Sequence, residues 1–134
     1  MTLFLPSKGV IKRVHSKQLE KYQPEITRQE VDEGRLGAAL AWPRLMVTTG
    51  NGSDIFDVSV SILVGLLGEK PFAVGNIRLA FTIAVLTIRR NGWVVDISND
   101  ESLRLISALK LENISEEKAS DFLRRKSLRL PQRR

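Results

Sequence analysis

An all-α fold is the expectation for this sequence, and three observations accord with it. Helix-start signals recur at Ser16, at Ser53 and Asp54, and at Ser115 followed by Glu116 and Glu117, where a side-chain oxygen can accept from the free N–H groups of a first helical turn. The run Leu79–Ile88 is apolar nearly all round, which suits a helix surrounded by others at the centre of a bundle. At 134 residues, 43% of them apolar, the chain has the length of one domain and can bury a single core without metal or disulfide staples.

Taken in order, residues Ser16–Tyr22 read as a short polar helix that breaks at Pro24. A second helix is expected from Thr27 or Gln29 to Trp42, stopping there because the residue before Pro43 is pushed out of helical backbone. Thr48–Ser53, with its Gly-Asn-Gly, is a loop, and Ser53 or Asp54 caps the next segment. Asp57–Leu67 supports two readings: Val58, Val60 and Ile62 alternate like a strand, whereas Phe56, Val60, Leu63 and Leu67 share one helical face. The Ile, Val and Thr content of Leu79–Ile88 likewise suits a buried strand as well as a helix. Val94, Val95 and Ile97 form a short extended excursion, a helix comes next near Asp100–Leu109, and a last helix starts at Ser115 and ends in basic residues that suit its C-terminus. No repeat or low-complexity tract is present.

Composition narrows the function classes. The absence of Cys excludes thiolate metal sites and thiol nucleophiles and argues against a secreted disulfide scaffold. A single His disfavours zinc. Met1–Leu5 is too short an apolar start for a signal peptide, and Leu79–Ile88 is about half a membrane span, so a soluble cytoplasmic protein is expected. The net charge of +6 invites a nucleic-acid reading. Its distribution weakens that reading: six of the basic residues lie in Arg124–Arg134, and without them basic and acidic residues balance at 15 each. The expected organisation is a domain over residues 1–125 and a basic tail over 126–134, and nucleic-acid binding would rest on that tail alone.

The most specific local pattern is Lys70–Arg78, Lys-Pro-Phe-Ala-Val-Gly-Asn-Ile-Arg, where a Gly-containing turn delivers backbone N–H groups into a helix start. Such a place can hold an anion. The nine residues resemble the active loop of the Fic family, and of its death-on-curing (Doc) branch in particular, which reads His-Pro-Phe-x-Asp-Gly-Asn-Lys-Arg. Pro71, Phe72, Gly75, Asn76 and Arg78 match; Lys70 stands at the His position, Val74 at the acidic one and Ile77 at that of Lys or Gly. The flanks are similar too. Asp32–Pro43 resembles the branch's Asp-x-Gly-Leu-Leu-x-x-Ala-Leu-x-x-Pro, Ser53–Leu67 its lead-in helix, Leu79–Gly92 its central helix with an Asn-Gly stop, and Ile114–Arg125 its closing helix. The resemblance covers roughly residues 10–125 and implies a helical bundle around a central buried helix, with both ambiguous segments helical.

The resemblance also implies chemistry. Fic proteins move a phosphate-bearing part of a nucleotide, most often AMP, onto a protein hydroxyl, and the Doc branch transfers the terminal phosphate; toxin–antitoxin ancestry comes with that branch. In this scheme the loop His takes the hydroxyl proton and the loop acid holds magnesium. Lys70 is a poor base, since an unperturbed lysine is protonated at neutral pH, and losing a general base costs about 10²–10⁴-fold. Val74 offers no oxygen to a metal, so charge stabilisation worth several kcal/mol is missing and no metal site is expected. Gly75, Asn76 and Arg78 keep close backbone approach, a side-chain donor and a guanidinium fork for phosphate, while Pro71 and Phe72 anchor the loop.

The expectation is a pseudoenzyme that binds ATP or another nucleotide, or a protein: an antitoxin-like peptide, a Fic relative or the ancestral target. The alternative is an active transferase in which Lys70, Asn76 and Arg78 hold a phosphate donor and catalyse by positioning. Plainer roles stand beside these: Phe72 as core, Asn76 as a cap, Gly75 as a turn residue, and Arg78 paired with a surface acid. His15, outside the motif, reads as a surface or capping residue, Trp42 and Trp93 as core or interface anchors, and Arg35 as an ion-pair partner of Asp32 or Glu33.

Overall fold

Helices account for nearly all regular structure in the computed structural model, which describes residues 3–26 and 30–131. The first, α1 (Lys8–Tyr22), begins well before the expected Ser16 because Ser7 caps it, its hydroxyl accepting from the Val10 N–H at 3.1 Å. Ile11, His15 and Leu19, four residues apart, form its buried stripe.

The second helix, α2 (Glu33–Thr49), starts from an Asp32 cap and runs through Pro43 instead of stopping before it. The expected start at Thr27 or Gln29 lies outside the described residues. Proline lacks an N–H, so the carbonyl four residues back, on Ala39, has no helical donor. That carbonyl lies against Gly65 of the next helix, so close that a Cβ there would sit 2.5 Å from the oxygen. Pro43 is itself buried. Tertiary packing thus offsets the lost bond, and Gly50, at φ +59°, ends the helix about two turns later.

Asp54 caps α3 (Ile55–Glu69) through bonds from the Phe56 and Asp57 N–H groups, and the Asp57 carboxylate accepts from the Asp54 N–H in return. Every residue from Val58 to Leu63 is buried, which settles the strand-or-helix ambiguity and makes α3 the central helix. The expected centre, Leu79–Ile88, lies within α4 (Asn76–Arg90), a half-buried helix whose Ile77, Arg78, Leu86, Arg89 and Arg90 reach solvent. One apolar cluster joins α3 to Ile11, Leu36, Leu40, Leu79 and Ile83; a second joins its first turns to Ile88, Leu105, Ala119 and Leu123.

The remainder closes the second cluster. Strand β1 (Trp93–Val95) is followed by α5 (Asn99–Lys110), capped by Ser98, and α6 (Glu116–Arg125), capped by Ser115 as expected. Residues set apart in the sequence as a basic tail then pair back: β2 (Ser127–Arg129) runs antiparallel to β1 with Trp93 opposite Arg129 and Val95 opposite Ser127. The Asp96 N–H to Lys126 carbonyl and Leu130 N–H to Gly92 carbonyl bonds, both 2.8 Å, extend the pairing at each end. Among the described residues no helix is long and apolar enough to cross a membrane.

Candidate functional site

The loop from Lys70 to Gly75 links the two best-buried helices, so its shape is set by how α3 ends and α4 begins. Lys70 terminates α3 in left-handed backbone, φ +49°, and is exposed. Pro71 and Phe72 are buried and pair with the chain ahead of α2: Phe72 bridges Val31, and the Asp32 N–H donates to the Pro71 carbonyl at 2.8 Å. Gly75, at φ +80°, turns the chain into α4, a conformation glycine adopts without Cβ strain.

Asn76 opens α4, but its side chain reaches backward. Its Oδ1 accepts from the Phe72 N–H at 3.1 Å and its Nδ2 donates to the Phe72 carbonyl at 2.6 Å. The side chain is therefore engaged in shaping the loop. The first bond of α4 is made by Leu79 to the Gly75 carbonyl, and Gly75 supplies no capping side chain, so the N–H groups of Asn76, Ile77 and Arg78 have no acceptor within the helix.

Beside this helix end lies an open cavity of about 690 Å³ between the loop and α5. Lys70, Arg78 and Lys110 bring three cations to its wall, Asn99, Ser102 and Thr82 bring neutral polar groups, and among the described residues no carboxylate lines it. The positive end of the α4 dipole adds to that field. Such a wall selects anions. It does not fit magnesium, whose preferred ligands are carboxylate and other oxygens rather than ammonium and guanidinium groups.

Arg78 does not sit on a surface acid. Its guanidinium carbon lies 3.8 Å from the ring centroid of Tyr22, at the end of α1, in a cation–π stack that leaves the side chain exposed at the cavity. Ile77, 44% exposed, presents an apolar side chain at the same rim.

The residue that sequence reasoning misplaced is His15. It is neither a surface nor a capping residue: it is 2% exposed, its ring stacks on Phe72 at 3.7 Å and 16°, and its Nε2 lies 2.9 Å from the Val74 carbonyl oxygen. A carbonyl can only accept, so Nε2 carries the proton and donates. Burial pushes the imidazole below its ordinary range, with the Val74 bond partly offsetting it. The spacing of Ile11, His15 and Leu19 was the available signal, hidden by placing the helix start at Ser16. Lys110 carried no signal, because only the packing of α5 brings it to the loop.

The other candidates resolve plainly. Arg35 pairs with Asp32 at 3.6 Å, both exposed. Trp93 packs edge-on against Phe56, whereas Trp42 is 57% exposed and no part of the core. Much of the C-terminal basic charge is engaged internally: Arg124 binds Asp54 at 2.8 Å and Asp57 at 3.3 Å, Lys126 pairs with Glu101 at 3.2 Å, and Arg129 lies 5.2 Å from the Trp93 ring. Comparison with protein-family models and with curated proteins gives no match for this chain.

Proposed function

We propose that this chain is a Fic-fold protein of the Doc branch whose loop binds a phosphate-bearing anion, with a nucleotide as the expected ligand, and does not transfer it. One observation carries the reading: the N–H groups at the start of α4, which have no acceptor within the helix, share a cavity with Lys70, Arg78 and Lys110 and, among the described residues, with no carboxylate. Phosphate oxygens would accept from the Ile77 and Arg78 N–H groups and from the Arg78 fork, with the two lysines as further counter-charges. Transfer is disfavoured because an exposed lysine stands where the family's base belongs and the cavity lining brings no carboxylate to abstract a proton.

Binding on this reading serves recognition, and the partner is a protein: an antitoxin-like peptide, a relative with an intact loop, or the target that ancestral toxins modified. The experiment is calorimetric titration of ATP into the purified protein, with and without magnesium, beside Arg78→Ala. Micromolar binding that needs no magnesium and weakens by roughly tenfold or more in Arg78→Ala is the expected result, since a charge-assisted bond to phosphate is worth about 1.5–3 kcal/mol. No detectable binding would end the phosphate reading. Label transfer from ATP to a protein acceptor, abolished by Lys70→Ala, would replace it with that of an active transferase.

A further inference from the structure

His15 is the one imidazole of the chain, it is almost fully buried, and no ion pair or catalytic role accounts for it. An aromatic hydrocarbon in its place would stack on Phe72 as well. What the imidazole adds is a donor 2.9 Å from the Val74 carbonyl. That carbonyl has a special position: it lies four residues before Arg78, so it is the acceptor the Arg78 N–H would take if α4 began one residue earlier. In the structure α4 starts at Asn76, its first bond comes from Leu79, and Val74 is bonded to His15 instead. Gly75 lets the chain leave helical backbone between the two, at φ +80°. The same face of α1 carries Gln18, which donates to Thr82 at 2.8 Å, and Tyr22, which stacks under Arg78, so the helix holding His15 is fixed against the first two turns of α4.

We propose that His15 is the positioning residue of the loop: by engaging the Val74 carbonyl it stops α4 from winding back one residue and so keeps the Arg78 N–H open to a ligand. The inference rests on the anion-binding reading for its purpose, but not for its geometry. Among the described residues the imidazole lies against the Phe72 ring, the Val74 carbonyl and Gly75, none of them charged. The ring therefore acts as a neutral donor, with its proton on Nε2.

Two measurements on the full chain test this. The first is amide hydrogen exchange of Arg78 in ligand-free wild type, His15→Phe and His15→Gln. Phe keeps the stack and removes the donor, whereas Gln restores a donor. In His15→Phe the Arg78 N–H should acquire the Val74 carbonyl as acceptor and exchange roughly tenfold or more slowly, while His15→Gln stays near wild type. The second is pyrophosphate titration followed at the same amide, where His15→Phe should bind about tenfold more weakly and His15→Gln close to normally.

Unchanged exchange and unchanged affinity in His15→Phe would overturn the proposal and leave the anion site standing. Failure of wild type to bind pyrophosphate would overturn the anion site, and the exchange rates would still decide the role of His15. Should His15→Phe not fold, the nitrogen shifts of His15 in wild type decide: protonated Nε2 coupled to the Val74 carbonyl is expected, and a proton on Nδ1 would refute the proposal.

Discussion

A buried imidazole couples the loop to pH through stability as well as through geometry. His15 has a folded-state pKa below the unfolded value of 6.5, because burial disfavours its cation. As pH falls through that value the unfolded chain takes up the proton first, so unfolding is favoured. The contribution is present above about pH 6.5 and is lost on acidification. Urea midpoints measured at pH 7.5 and 5.5 should therefore fall for wild type and fall less for His15→Phe. Asp54 does not confuse that window. Burial alone would raise Asp54, but the Arg124 guanidinium and the Asp57 N–H outweigh it and hold its carboxyl below 3.8, so its contribution is lost only in stronger acid. At this scale the sequence was only partly legible. Pro71, Phe72, Gly75 and Asn76 stand out through the resemblance of the loop, with Gly75 also readable as a turn residue because turn chemistry is local. The burial of His15 could have been read from its spacing with Ile11 and Leu19, but its role could not, because that depends on a contact 59 residues away.

Among the elements, capped helix starts were readable and the proline was not. Asp54 and Ser115 announce α3 and α6 because capping needs only a side-chain oxygen and the N–H groups beside it. Replacing Asp54 with Ala removes the cap and a partner of Arg124 together, and should cost about 1–2 kcal/mol in a denaturant titration. Pro43 signals a stop, yet α2 continues, since the helix gains more from burying Met46 and Pro43 on α3 than it loses in one bond. Gly65 is the complement of that proline. Its missing Cβ is what lets the Ala39 backbone approach, so Gly65→Ala must push two helices apart and should destabilise by about 1–3 kcal/mol, despite the better helix propensity of alanine. A neutral or stabilising effect would show that the α2–α3 contact is softer than its geometry.

For the whole molecule, the all-α architecture was expected from capped helix starts and the family resemblance together, since the apolar runs alone suited strands as well, but the closure of the chain was not legible. Eleven C-terminal residues with six cations and no acid read as a solvated end by composition. Instead, Arg124 fastens α6 to the start of α3, and β2 lies along β1 with Arg129 against Trp93. The reason is non-local: a three-residue strand has no periodicity to detect, and its partner lies 34 residues earlier in the chain. Ending the chain at Lys126 should therefore lower the thermal midpoint measurably. The same truncation separates structure from nucleic-acid binding, since affinity for a duplex that falls steeply with salt in the full chain and vanishes on truncation would restore the nucleic-acid reading.

The unequal placement of the two indoles makes the molecule its own fluorescent gauge. Trp42 stands in water on the outer side of α2, so its emission is red-shifted and a polar quencher reaches it at once. Trp93, half-buried between Phe56 and Arg129, should emit further to the blue and be less accessible than Trp42 for as long as β2 stays in place. Quenching Trp42 with neutral acrylamide thus leaves a residual signal weighted toward Trp93 and the strand beside it. A partner that covers α2 would protect the red component and leave the blue one untouched, so docking on that face and opening of the C-terminal strand could be told apart in one cuvette without a label.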